Sequence, residues 1–235
     1  MSNNTFKILA MISMAVVYGI KNKLLKLSCK DIQYRNFHSQ YGEDRFIFKS
    51  IKLPQKGVFI DVGAGHPTYL SNTYFFEKNG WDGICIDANI SQVELLKRER
   101  KNVEWAAVSE EEGEIEFYQS FSPEFSTSVK QTEYPAIMNN FFNKDAIKVP
   151  SFRLETILQK YDIDVIDILD IDVEGSELEV CKTFDYQKYK PKVVVIEYYT
   201  FGIGDNSNKI KEYFANLPYR LVHTTCSNLI FVHQL

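Results

Sequence analysis

Short apolar runs that stop at glycine or aspartate alternate along the chain with stretches of helical period, the pattern of a sheet whose strands are linked by helices. Residues 57–62 (Gly-Val-Phe-Ile-Asp-Val) form the first run, which stops at Gly63 and predicts a buried strand ending in a tight turn. A helix is predicted over 71–79, closed by Gly80, and a second strand over 83–87. Residues 90–100 carry Ile90, Val93 and Leu96 at three-residue spacing, with Lys and Arg in the last turn, as an amphipathic helix would. A third strand is predicted over 102–108, and a run over 114–118 is expected to pair beyond the turn at Glu112 and Gly113. Residues 120–150 break the rhythm, with three prolines, many Ser, Asn and Phe, and no clean period. So long a connection reads either as a substrate-side lid or as a surface insertion. The alternation then resumes, with helices over 154–160, 176–184 and 207–217 and strands over 165–173 and 192–199. Two final runs, 219–224 and 228–232, flank the short turn 225–227 and predict a terminal hairpin. Hairpins need only short turns whereas parallel neighbours need crossovers, so this end should set one antiparallel strand in an otherwise parallel sheet.

The expected architecture is therefore one α/β Rossmann-like domain over 39–235, with a mostly parallel seven-stranded sheet, flanking helices and an N-terminal helical extension over 1–38. A chain of 235 residues, 45% hydrophobic and 14% aromatic, suits one such domain with a sizeable core. The formal net charge of −4 argues against a nucleic-acid backbone as the main partner. Cys29, Cys85, Cys181 and Cys226 are widely spaced, mostly within or beside apolar runs, and fit a reducing, cytoplasmic setting. With no Cys-x-x-Cys pair and no close histidine spacing, no metal ligand set is predicted, although distant residues can still assemble one. Residues 8–20 are almost wholly apolar and are followed by Lys21, Lys23, Lys26 and Lys30. That run is shorter than the roughly 20 residues of a spanning helix and reads as a packed helix, a peripheral or anchoring membrane contact, or a signal-like segment.

Chemistry concentrates at the first strand-helix turn, Asp61-Val62-Gly63-Ala64-Gly65. Glycines there allow close approach of a ligand to backbone, and Asp87, ending the second strand some twenty residues on, stands where a ribose-binding carboxylate is expected. The dinucleotide fingerprint G-x-G-x-x-G fails at its third glycine, where Thr68 stands, and Asp61 adds a carboxylate that a pyrophosphate would meet unfavourably. S-adenosylmethionine has no phosphate and carries sulfonium and ammonium groups that suit nearby carboxylates. The pattern favours that methyl donor, while an NAD-dependent oxidoreductase and a non-catalytic binding protein remain alternatives.

From Ser39 to the C-terminus the chain resembles the FkbM-type family of S-adenosylmethionine-dependent methyltransferases. The resemblance rests on Ser39-Gln40-Tyr41-Gly42-Glu43-Asp44, on Asp61 to Pro67 with Ser71-Asn72-Thr73, and on Gly80-Trp81-Asp82-Gly83 with Ile86-Asp87-Ala88. Ala107-Val108-Ser109 and the block Ile171-Asp172-Val173-Glu174-Gly175 follow in the family's order. It implies a class I methyltransferase fold and a cofactor set of Gln40, Glu43, Asp61, Gly63, Ala64, Gly65, Asn72, Asp87, Ala88 and Ala107. By the same resemblance Asp61 and the glycines line the methionine end, Asp87 accepts from the ribose hydroxyls, the backbone near Ala107 borders adenine, and Gln40, Glu43 and Asn72 close the site. Many relatives carry Lys where this chain has Asp170, which gives the fourth strand an added negative charge.

Methyl transfer from a sulfonium needs in-line placement of the acceptor and removal of a proton. Asp170 and Asp172 are expected to share a strand face, with Glu174 just beyond and Glu197 at the end of the fifth strand. Asp172 or Glu174 is the expected base, with Glu197 and His66 next. The resemblance implies a sugar hydroxyl of a polysaccharide or glycolipid as acceptor.

Overall fold

The computed structural model describes residues 36–120, 126–130, 134, 142–143, 145–200 and 202–234. The apolar run 8–20 and its lysines lie outside these residues, as does most of the expected extension. Among the described residues no helix is long and apolar enough to cross a membrane.

Among the described residues, twelve strands and seven helices follow the predicted alternation. Helix α1 (Glu43–Ser50) precedes β1 (Val58–Val62), α2 (Tyr74–Lys78), β2 (Asp82–Asp87), α3 (Ile90–Glu99), β3 (Val103–Trp105), β4 (Ala107–Val108), β5 (Gly113–Phe117) and β6 (Ile147–Phe152). The second half holds α4 (Leu154–Lys160), β7 (Ile168–Ile171), α5 (Glu177–Lys182), α6 (Tyr186–Tyr189), β8 (Val193–Glu197), β9 (Tyr199–Thr200), β10 (Gly204–Asp205), α7 (Ser207–Ala215), β11 (Tyr219–Thr224) and β12 (Asn228–His233).

Seven strands make the main sheet, in the order β11-β12-β8-β7-β1-β2-β3. All neighbours pair in parallel except β12, which runs antiparallel to both β8 and β11. The expected Rossmann-like architecture with one reversed strand is thus present. Strands covered on both faces should read as continuous apolar runs, and Val193 to Ile196 do. Alternation within each strand separates two cores. Ile60, Val62, Leu169, Ile171, Val194 and Ile196 face α4, α5 and α7. Phe59, Ile168, Val193 and Val195 face the other way, with Ile47 of α1, Phe75 and Phe76 of α2 and Leu96 of α3. Asp61 and Asp170 replace apolar residues in this second alternation and are register partners across β1 and β7.

Two expectations need correction. The predicted third strand breaks at Ala106, so β3 stays in the main sheet while β4 leaves to pair with β6. Residues 113–117 pair antiparallel with β6 and not with the third strand. β6 is the central strand of this small sheet although Pro150 lies within it, opposite Glu114. Proline normally argues against a central strand, which is why the sequence reads as a loop there.

Connections from β1 and β7 leave toward opposite sides of the sheet, so a crevice opens at their carboxyl ends, the place where ligands bind in open α/β sheets.

Candidate active site

That crevice is a cleft of about 590 Å³, open mouth included, walled by several separate chain segments. Gly63 and Gly65 come from the turn after β1, Asp87, Ala88 and Asn89 from the end of β2, Ala107 and Val108 from β4 with Ala106 just before it, Phe117 from β5, and Asp172 to Glu174 with Ser176 from the turn after β7. Five members of the predicted cofactor set, Gly63, Gly65, Asp87, Ala88 and Ala107, therefore share one cleft with the two favoured base candidates, Asp172 and Glu174.

The two glycines serve different ends. Gly63 has φ +82°, and a Cβ built there would overlap the carbonyl oxygen of Asp172, so this glycine lets β1 and the turn after β7 touch. Gly65, at φ +56°, has open space where its Cβ would be; its N–H donates to Asp87 Oδ2 at 2.7 Å. Asp87 Oδ1 accepts from the Asn89 N–H at 2.7 Å, so one carboxylate fixes both the glycine turn and the start of α3. Burial pushes Asp87 up to about 6, opposed by those two N–H bonds and reinforced by Asp61 and Asp172. Asn89 caps α3 through Ser91 N–H and donates to Ser126 Oγ. From the proline-rich stretch, Ser126 and Ser128 reach the cleft wall, Thr127 Oγ1 donates to the Glu174 carbonyl at 2.9 Å, and Ser128 bonds Ser176. The remainder of 121–144 lies largely outside the described residues.

Other predicted residues stand outside the cleft wall. Asp61 is 3% exposed; its carboxylate accepts from Thr73 Oγ1 and lies near Arg100. Asn72 Nδ2 donates to Asp170 Oδ1 at 3.1 Å. Glu43 accepts from the Tyr41 N–H, from Thr225 Oγ1 and from Asn228 Nδ2, joining the Ser39 to Asp44 motif to the terminal hairpin. Gln40 and Tyr41 sit in the turn leading to α1, where Asp44 accepts from the Ser39 hydroxyl and the His38 N–H. Ala64 packs in the second core. His66 Nδ1 accepts from the Thr68 and Tyr69 N–H groups, bracing its own turn. Burial, with Asp61, Asp172 and Glu43 nearby, pushes the Asp170 carboxyl well above the usual range, opposed by its hydrogen bond from Asn72.

Sequence reading missed Arg100, taken only as a last-turn helix cation. Its guanidinium is buried against Glu77, and it donates to Thr73 Oγ1 at 2.7 Å, to the Pro67 carbonyl at 3.0 Å and to Ser71 Oγ at 3.3 Å. Arg100 thereby ties the 67–73 loop to Glu77 of α2. Arg100→Met is expected to cost about 3–5 kcal/mol, because Glu77 and Asp61 would remain buried without their cation. Urea unfolding checks this, and a loss below about 1 kcal/mol would refute it. Glu177 was also missed: buried, its Oε1 accepts from the Gly175 N–H at 2.8 Å, and burial pushes it up to about 7.

Beyond β7 and β8 the acids gather. Asp172, Glu174 and Glu197 each offer an oxygen lying within 4.8 Å of the others. Burial pushes Asp172 up to about 6, opposed by a hydrogen bond with Glu197, while burial and the neighbouring Asp172 hold Glu197 well above the ordinary range. Glu174 adopts φ +54°, uncommon for a residue with a side chain, at the bend that turns the chain toward α5. Cys85 and Cys181 are buried free thiols and Cys226 is exposed, while Cys29 lies outside the described residues.

Comparison with known proteins bears on this site. A search of curated proteins found no match. Among solved structures, the chain is similar to a TehB-like SAM-dependent methyltransferase from Corynebacterium glutamicum, with 11% identity, a TM-score of 0.44, and 94% of this chain and 99% of that one covered. It is also similar to a chain of the fibrillarin/Nop5p complex, with 10% identity, a TM-score of 0.42, and 86% and 84% covered. Both likenesses are weak, and the fold assignment rests on the strand order itself. The family model of the methyltransferase FkbM domain matches residues 61–221, from the acid before the glycine turn into β11. More than half of the chain is matched, including every segment of the cleft wall, and the protein belongs to the FkbM methyltransferase domain family.

Proposed function

We propose that the protein transfers the methyl group of S-adenosylmethionine to a hydroxyl group, most simply a sugar hydroxyl of a polysaccharide or glycolipid. The observation that carries this reading is one cleft at the switch point that joins the turn of Gly63 and Gly65, the carboxylate of Asp87 and the acids after β7. Asp87 would accept from the ribose hydroxyls, Ala88 and Ala107 would border the adenine, and the carboxylates would favour the cationic methionine end. A dinucleotide fits less well. Among the described residues no Lys or Arg lines the cleft, and α2 begins only at Tyr74, so no helix N-terminus follows the glycine turn closely enough to take a pyrophosphate.

In the reaction the acceptor oxygen attacks the methyl carbon, the carbon–sulfur bond breaks with its electron pair passing to sulfur, and the hydroxyl proton passes to Asp172. S-adenosylhomocysteine leaves as the product. A neighbouring opening shares Val108, Ser128 and Ser176 with the cleft and is bordered by five acids, Glu110, Glu111, Glu114, Glu116 and Glu179, together with Lys130 and Lys182. Such a mixed polar rim can both accept hydrogen bonds from and donate them to a hydroxyl-rich acceptor.

S-adenosylhomocysteine at about 100 times its Kd is expected to stabilise the protein by roughly 2.7 kcal/mol, with NAD giving no shift. A thermal shift with NAD alone would reverse the assignment. The affinity should also depend on pH with a definite sign. Ribose hydroxyls donate to the ionised Asp87, whose folded pKa is about 6, so affinity is level above that pH and falls up to tenfold per pH unit below it. Calorimetry of S-adenosylhomocysteine binding between pH 5 and 8 tests this, and a flat profile would remove Asp87 from the ribose. Incubating candidate glycans with methyl-labelled donor tests the acceptor class.

A further inference from the structure

The acids after β7 and β8 gather at one edge of the cleft. Asp172, Glu174 and Glu197 come from two neighbouring strand ends, and their oxygens lie within 4.8 Å of one another. Among the described residues no Lys or Arg pairs with Asp172 or Glu197. Glu197 supplies a second, independent observation. It is 8% exposed, and its Oε2 is buried without a hydrogen-bond partner. A buried carboxylate oxygen with no donor is costly, and a carboxylate set satisfies itself by binding a cation. The separation suits one ion: oxygens on opposite sides of a cation bound at about 2.3–2.6 Å lie about 4.6–5.2 Å apart, and adjacent ones lie closer.

We propose that Asp172, Glu174 and Glu197 bind one hard divalent cation, Mg²⁺, Mn²⁺ or Ca²⁺, at the edge of the cleft. Three carboxylate oxygens and no sulfur or imidazole select this class over zinc or copper. Three protein ligands leave coordination positions open, and Asp172 and Glu174 also line the cleft, so those positions face the acceptor. Binding of the cation stands apart from the methyl-transfer reading, but its use rests on it. The acceptor hydroxyl oxygen would become a further ligand, its O–H bond weakened by the positive charge, and its proton would leave to the second oxygen of Asp172 as the oxygen attacks the methyl carbon.

The test is titration of the full chain with Mn²⁺, read by the electron paramagnetic resonance signal of the free ion, with no cofactor present. One saturable site is expected. Glu197→Gln and Glu174→Gln should each weaken it at least tenfold, and Glu94→Gln, an exposed acid on α3, should leave it unchanged. Glu174 is partly exposed, so E174Q keeps the test valid should E197Q fail to fold; a retained thermal unfolding transition identifies the folded variants. The proposal is overturned if the wild type has no saturable site, or if folded E174Q binds Mn²⁺ as the wild type does. Separate titration with S-adenosylhomocysteine distinguishes failure of the cofactor reading, since either ligand can bind while the other does not.

Discussion

Alanine at position 63 is expected to leave little or no folded protein. Gly63 holds φ +82°, a conformation costing a residue with a side chain on the order of 1–3 kcal/mol. The larger effect is steric. The added methyl would overlap the Asp172 carbonyl, a backbone atom in the chain whose N–H donates to the Val62 carbonyl at 2.9 Å, so neither partner can step aside by changing rotamer. Relief requires parting β1 from the end of β7 at the centre of the main sheet, and the total loss should exceed about 5 kcal/mol, comparable with the whole stability of many domains. Gly65→Ala is the matched comparison, because its φ is also positive while no atom lies closer than 3.9 Å to its added Cβ. It should cost only about 1–3 kcal/mol. Thermal unfolding of the two variants checks the contrast, and equal midpoints would show that the approach at Gly63 is not as tight as described.

The second large effect is on turnover. Asp172→Asn should lower the rate of methyl transfer by about 10²–10⁴-fold, the range for losing a positioned proton acceptor, while the affinity for S-adenosylhomocysteine stays within about threefold. The expected split follows from position. Asp172 lines the cleft beside Glu174, with an oxygen within 4.8 Å of Glu197, whereas the cofactor reading gives the ribose to Asp87 on another strand. Asparagine preserves size and one acceptor oxygen but cannot take up the proton. Single-turnover transfer of labelled methyl, alongside calorimetry of the product, separates the two quantities. Wild-type turnover would remove Asp172 as the base.

Much of this site is local, and so was legible in the order of residues. The turn at Gly63 and Gly65 is a strand stop followed by residues that tolerate positive φ, and Asp87 ends the next apolar run. The Ile171 to Gly175 block marked the acidic edge. Arg100 was not legible, since a basic residue in the last turn of an amphipathic helix ordinarily lies in solvent. Only the packing of α3 beside α2 turns it inward to Glu77 and the 67–73 loop. Pro150 concealed β6 for a similar reason: a local penalty was outweighed by pairing on both sides, with β4 and β5.

By itself the sequence determined the alternation of strands and helices, the position of the glycine turn and the reversed strand near the C-terminus. Each of these follows from the period of apolar residues, the torsional freedom of glycine or the shortness of a connection, all properties of neighbouring residues. Tertiary structure alone decided that Gly63 must be bare to admit the Asp172 carbonyl, that Asp170 is buried as the register partner of Asp61, and that oxygens of Asp172, Glu174 and Glu197 come within 4.8 Å of one another. Those outcomes depend on burial and on distances between segments far apart in the chain, and both arise only when β1, β7 and β8 lie side by side.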